Sequence, residues 1–116
     1  MKTTTKLFAI VALFATVFFA SCKKEETANP VASFTISPND TVTYDEILTL
    51  NNTSTNADSY VWNFGDGTTS TATSPTKLYD DVAGLDCEET FTITLTATKD
   101  GKTSSTSKNV VVYFCL

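Results

Sequence analysis

The chain contains no histidine, and no arginine appears anywhere along its 116 residues. The first absence removes the commonest general base and a common metal ligand. The second removes the planar, five-donor side chain best suited to phosphates. The charge balance points the same way, with 8 Lys+Arg against 13 Asp+Glu and a formal net charge of -5. An acidic chain without arginine is a poor candidate for binding DNA, RNA or phosphate, and no nucleic-acid partner is expected. Serine and threonine are plentiful, but no imidazole and no evident lysine partner stands ready to activate one. Carboxylates abound, yet nothing suggests a cleft that holds two of them at glycosidase spacing. The sequence thus reads as a non-enzyme without a cofactor. It also lacks a membrane-spanning run, because the apolar stretch Leu7–Phe19 is shorter than the roughly 20 residues such a helix needs. Beyond that stretch no segment shows a helical period.

What is present is threonine, together with Val, Ile and Phe, a mixture that favours strands. The length suits one domain. Residues 1–21 stand apart from it. Lys2 and Lys6 precede the apolar run, and the small pair Ala20-Ser21 follows it, which is the layout of a secretory signal peptide. An uncleaved membrane helix is the alternative. Phe19-Ala20-Ser21-Cys22 resembles the lipobox of bacterial lipoproteins, with Phe19 where leucine is usual. That resemblance implies a lipidated Cys22 as the first mature residue, anchored by more than one acyl chain; ordinary cleavage would leave a reactive free thiol. Residues 22–30 continue as Lys23-Lys24-Glu25-Glu26-Thr27-Ala28-Asn29-Pro30, a polar tether without apolar period. A charged segment after the cysteine is similar to the export signal of Bacteroidetes surface lipoproteins, although here the basic pair comes first. The expected location is the cell envelope, as an outer-membrane lipoprotein, on either the surface or the periplasmic side.

Residues 31–116 form the domain, and Tyr60-Val61-Trp62-Asn63-Phe64-Gly65-Asp66-Gly67 is its centre. Tyr60, Trp62 and Phe64 alternate and so share one face of a strand. Gly65-Asp66-Gly67 ends that strand in a tight turn. Other strands are expected at Val31–Ser37, Ile47–Leu50, Thr68–Thr71, Lys77–Tyr79, Thr90–Thr98 and Ser104–Phe114, with a short edge strand at Thr41–Tyr44. In Thr90–Thr98 the alternation is cleanest, with Phe91, Ile93, Leu95 and Ala97 inward and threonines outward. Asp100-Gly101 is a hairpin turn. About seven short strands with regular turn signals predict an all-β, immunoglobulin-like sandwich.

Three ordered stretches resemble one family, the PKD domain. Tyr60–Ser70 is similar to its W-D-F-G-D-G signature, Ser74-Pro75-Thr76-Lys77-Leu78-Tyr79 to its N-P-T-H-T-Y element, and Thr90–Thr98 to its Y-T-V-T-L-T-V-T strand. The resemblance implies an extracellular binding or spacer module rather than a catalyst. It also implies Asn56, Asp58 and Asp66 as candidate calcium ligands at a sandwich end. Two departures stand out. Asn63 replaces the usual aspartate, and the stretch between Tyr79 and Phe91 is long, with five carboxylates at Asp80, Asp81, Asp86, Glu88 and Glu89. That stretch reads as a solvated loop, with calcium binding as the alternative.

A hairpin centred on Asp100-Gly101 sets Cys87 opposite Cys115 at its open end, and export to an oxidising compartment favours a disulfide there; two separate thiols are the alternative. Asp66 reads as a turn residue and Trp62 as core. The expected role is adhesion or binding, with protein or polysaccharide as ligand, and Tyr44, Tyr79 and Tyr113 as the aromatics to inspect for sugar stacking. A non-binding spacer or structural subunit of an envelope complex is the alternative.

Overall fold

The computed structural model describes residues 28–80 and 86–115. The signal segment 1–21, Cys22, most of the tether and residues 81–85 of the acidic stretch lie outside the described residues. Among the described residues eight strands follow one another: β1 (Phe34–Ser37), β2 (Thr41–Thr43), β3 (Leu48–Asn52), β4 (Ser59–Asn63), β5 (Thr69–Ser70), β6 (Thr76–Lys77), β7 (Glu88–Lys99) and β8 (Lys102–Tyr113). They form a three-stranded sheet in the order β1-β3-β6 and a five-stranded sheet in the order β2-β8-β7-β4-β5. The protein is an all-β, two-sheet sandwich.

The long β7–β8 hairpin is the spine of the larger sheet. Asp100 and Gly101 both take positive φ, 50° and 77°, which is the geometry an Asp-Gly hairpin loop requires. Lys99 then pairs with Lys102, and the register runs without a break to Glu88 opposite Tyr113. β4 packs antiparallel on the far side of β7, and β2 runs parallel to the end of β8. The smaller sheet is shorter, because Val31 makes only an isolated bridge to Thr55 and β6 has two residues.

Period-two alternation fills the space between the sheets. Leu48, Leu50, Trp62, Ile93, Leu95, Ala97, Val110 and Val112 have no exposed surface, and Phe34, Val42, Phe64, Tyr79 and Phe91 are nearly as deep. Phe34 of the small sheet meets Trp62 of the large one edge to face, with ring centroids 5.1 Å apart. The indole Nε1 donates to the carbonyl of Ala72 at 2.9 Å, so the core's one ring N–H is satisfied. Among the described residues no buried side-chain polar atom lacks a partner.

Three expectations change in detail. Tyr60 is only partly buried, packed at the rim of the core, because β4 pairs it with Ala97 near the end of the hairpin, where the opposite sheet is short. Glu88 and Glu89 belong to β7 rather than to a loop. Cys87 and Cys115 are joined, with Cα atoms 4.8 Å apart, but they are offset by one position. The register opposes Cys87 to Phe114, whose N–H donates to the Cys87 carbonyl at 2.8 Å, because the two-residue loop fixes every pair beyond it.

The disulfide spans a sequence separation of 28 residues. In the chain-entropy picture that cross-link stabilises the fold by roughly 3–4 kcal/mol. The double variant Cys87→Ser, Cys115→Ser is expected to lose about that much in urea unfolding. An unchanged midpoint would show that the β7–β8 end holds without the bond.

Candidate functional site

The signature turn is built from β4 outward. Asn63, the last residue of β4, accepts the Gly65 N–H on its side-chain oxygen at 2.9 Å. Only a carbonyl oxygen is needed for that bond, so asparagine serves where the family's usual aspartate is absent. Gly65 has φ 79°, and a Cβ placed on it would lie 2.6 Å from the Thr92 carbonyl oxygen of β7. The turn therefore lies directly on the neighbouring strand. Gly67 also has positive φ, 87°, but faces open space. Between them Asp66 accepts from the Thr68 N–H at 3.0 Å and from the Thr68 hydroxyl at 2.5 Å.

The other oxygen of Asp66 meets Lys77 of β6 at 2.5 Å. Lys77 also donates to the Thr68 hydroxyl at 3.0 Å. Its ammonium sits 5.1 Å from the Phe64 ring centroid and 5.0 Å from that of Tyr79, within cation–π range. Tyr79 donates its hydroxyl to the Phe64 carbonyl at 2.7 Å and stacks on Phe91 with centroids 4.3 Å apart. One lysine from the small sheet thus ties down the turn that closes the large sheet. Nothing in the periodicity singled out Lys77; the available signal was its place in the Pro-Thr-x-x-Tyr element, where the family pattern carries histidine.

Two groups titrate away from their ordinary values here. Partial burial pushes the Asp66 carboxyl up, but hydrogen bonds from Lys77 and Thr68 and the Lys77 charge outweigh it and hold the group below the usual carboxylate value. Burial, with a smaller push from the Asp66 charge, drives the Tyr79 hydroxyl well above the usual phenol. It stays protonated and donating.

The calcium candidates do not come together. Asn56 takes positive φ, 54°, a conformation asparagine tolerates in turns. Asp58 precedes β4, where its N–H donates to Thr98 and its carboxylate lies 3.7 Å from Lys99. Asp66 follows β4. The extended strand between them separates Asp58 from Asp66 by roughly 20 Å. Among the described residues no group of three His, Cys, Asp or Glu side chains is placed to hold a metal.

The outer face of the five-stranded sheet is a second candidate surface. The inward positions of β7 are apolar, so its outward positions are Glu88, Thr90, Thr92, Thr94, Thr96 and Thr98. Beside them on β8 stand Thr103, Ser105, Ser107, Asn109, Val111 and Tyr113. Three rows are hydrogen-bonded across the strands: Thr92 to Asn109 at 2.9 Å, Thr94 with Ser107 at 2.7 Å and Thr96 with Ser105 at 2.9 Å. β4 adds Ser59, Val61 and Asn63, and β2 adds Thr41 and Thr43. Glu88 is the one charge among these strand positions. Of the three tyrosines to inspect, Tyr79 is core at 3% exposure, whereas Tyr44 and Tyr113 are 41% and 40% exposed. An open groove of about 610 Å³ also lies between β1 and β8, walled in part by Ile36, Asp40 and Lys108.

The PKD domain family profile matches residues 26–113. The chain belongs to the PKD domain family. Among solved structures, the PKD1 domain of Vibrio anguillarum Epp shares 26% identity with a TM-score of 0.59, covering 78% of this chain and 100% of that one. The PKD1 domain of the Vibrio cholerae metalloprotease PrtV shares 28% identity with a TM-score of 0.57, covering 74% and 99%. A structure described for the promiscuous specificity of carbohydrate-binding modules of the β-sandwich superfamily is 31% identical, with a TM-score of 0.65 over 78% of this chain. The chain spans 37% of that structure's length. No curated protein matches the chain. Within this PKD domain Lys77 and Tyr79 lock the signature turn to the rest of the sandwich, and the outer face of the large sheet carries hydroxyl and amide side chains.

Two expected outcomes follow from the lock. Gly65→Ala is expected to destabilise the domain by about 2–4 kcal/mol through both φ and the Thr92 contact. Gly67→Ala, with open space, carries only the φ cost of about 1–2 kcal/mol. Equal losses in denaturant titration would refute the close-contact argument. For Asp66 the folded pKa lies below the unfolded one. Its contribution is therefore full above the unfolded value of about 3.9 and is lost as pH falls through the folded value. The melting-temperature gap between the wild type and Asp66→Asn should be widest near neutrality and close below about pH 4.

Proposed function

We propose that this PKD domain binds carbohydrate and is displayed at the bacterial envelope by a lipidated Cys22. The observation that carries the reading is the outer face of the large sheet, where hydroxyl and amide side chains stand in register and one carboxylate is the whole charge of the strand positions. On a chain of net charge -5, such a face suits a neutral, polyhydroxylated ligand. Each bonded Thr–Ser pair uses one hydroxyl hydrogen and leaves the other hydrogen and several lone pairs for a ligand. The rows are also held in place before any ligand arrives, which lowers the ordering cost of binding. Likeness to the structure that holds carbohydrate-binding modules supports the same class. In this reading the protein performs no catalysis, needs no cofactor and does not engage nucleic acid. The tether after Cys22 presents the domain on the outer membrane, facing either the periplasm or the surface.

A spacer role in a larger envelope assembly is the second reading. It is favoured by the Vibrio cholerae PKD1 domain, which comes from a metalloprotease rather than from a free-standing binder. Affinity electrophoresis of the full chain, purified in detergent, separates the two. Gels containing neutral polysaccharides (laminarin, mannan, xyloglucan) are expected to retard the protein, and gels containing polyanionic alginate are not. Migration unchanged in every gel, with fixed protein partners recovered by crosslinking in the native envelope, would favour the spacer.

A further inference from the structure

One row of the outer face differs from the others. Thr43, Tyr113 and Glu88 stand side by side on β2, β8 and β7. Tyr113 is the aromatic among the outward strand positions of this face, and Glu88 is the charge. Side chains directly opposed in an antiparallel pair have Cβ atoms about 5 Å apart, so the ring and the carboxylate fall within the width of one sugar.

The row is also braced more than a solvated strand end needs. The disulfide joins Cys87, next to Glu88, to Cys115, two residues beyond Tyr113. The Phe114 N–H donates to the Cys87 carbonyl at 2.8 Å. From the other side the Tyr44 N–H donates to the Tyr113 carbonyl at 3.1 Å. Strand ends fray when nothing holds them; here three bonds hold a ring and a carboxylate that both face solvent. Below them Val112 and Val42 are buried and paired, so the platform rests on the core.

We propose that the Tyr113–Glu88 corner is the stacking subsite for one pyranose ring of a neutral glycan. The proposal rests on the carbohydrate-binding reading above. The apolar C–H face of the sugar lies on the Tyr113 ring, whose amphipathic character suits a ligand that is apolar on one face and wet at its rim. Glu88 accepts from hydroxyls at that rim, and hydrogen bonds to an ionised acceptor are roughly twice as strong as neutral ones. The Thr92–Asn109 row, further along the same strands, takes hydroxyls of the next units. Glu88 also repels anionic sugars, so the corner selects neutral glycans.

Affinity electrophoresis of the full chain against the neutral polysaccharide that retards the wild type tests this, with melting temperatures recorded for every variant. Tyr113→Ala is expected to weaken binding about thirtyfold, the scale of a hot-spot side chain, while Tyr113→Phe stays within about threefold because the ring face remains. Glu88→Gln is expected to weaken binding several-fold without loss of fold, and Ile47→Ala, an exposed position beside the smaller sheet, to leave it unchanged. If the wild type is retarded and both Tyr113→Ala and Glu88→Gln keep its affinity, the subsite is wrong and carbohydrate binding stands. If the wild type passes unretarded through every neutral gel, both readings fall. If Tyr113→Phe loses as much as Tyr113→Ala, the phenol hydroxyl rather than stacking makes the contact, which also overturns the proposal.

Discussion

The approach of Gly65 to the backbone of Thr92 is the constraint on which the rest of the domain depends. A Cβ at Gly65 would stand 2.6 Å from the Thr92 carbonyl oxygen, so the chain leaves β4 with its turn pressed against β7. That placement sets Asp66 where Lys77 reaches it from the opposite sheet. It also sets the Phe64 carbonyl where the Tyr79 hydroxyl ends. Each of these bonds crosses between parts of the sandwich that share no ladder. Lifting the turn off β7 would leave the Tyr79 hydroxyl buried without its partner, and such a group costs about 1–3 kcal/mol. The lysine depends on the same geometry, because its cation is spent on one carboxylate, one hydroxyl and two ring faces.

This lock uses the motif that sequence comparison makes most visible, and it commits that motif's inward side chains to the core. Trp62 has no exposed surface, and its ring nitrogen is bonded to Ala72. The other side of the sheet is the one that the core does not need. Threonine is suited to that side, because its branched carbon favours the strand and its hydroxyl meets water. The same alternation that drives Ile93 and Leu95 inward lines Thr92, Thr94 and Thr96 outward. Fold and candidate binding surface are thus two readings of one periodic pattern.

The parts of the structure legible in the sequence are those set by local rules. The alternation from Phe91 to Ala97, the Asp100-Gly101 loop and the Gly65-Asp66-Gly67 turn each follow from residue type and neighbours alone. What escaped is what only register and sheet order decide. Tyr60 alternates with Trp62 as neatly as Phe64 does, yet it sits at the rim because the opposing sheet ends early. The pairing of Cys87 with Cys115 was visible, but its offset of one residue follows from how many residues the loop uses. Asp58 and Asp66 are eight positions apart and looked like neighbours at one end, whereas an intervening strand sends them to opposite ends. The sequence shows Lys77 only as part of a short strand, because its partners Phe64, Asp66 and Thr68 lie beyond the end of β4, nine or more residues before it. The Tyr113–Glu88 row was equally hidden, since its members are 25 residues apart and meet only through the hairpin register.

The departure at Asn63 gains a meaning from the same register. Its side-chain oxygen makes the turn bond to Gly65, and an aspartate would make that bond as well, so the turn does not explain the choice. Asn63 is also an outward residue of β4, exposed and paired with Thr94 in the middle of the hydroxyl rows. An aspartate there would place a second carboxylate on a face whose outward strand positions carry only Glu88, in the middle of its hydroxyl rows. The amide keeps the acceptor that the turn requires and adds two donors to the face. A change that the turn bond tolerates therefore alters the charge of the surface. The one carboxylate among the outward strand positions of the face is then Glu88, at the braced corner beside Tyr113.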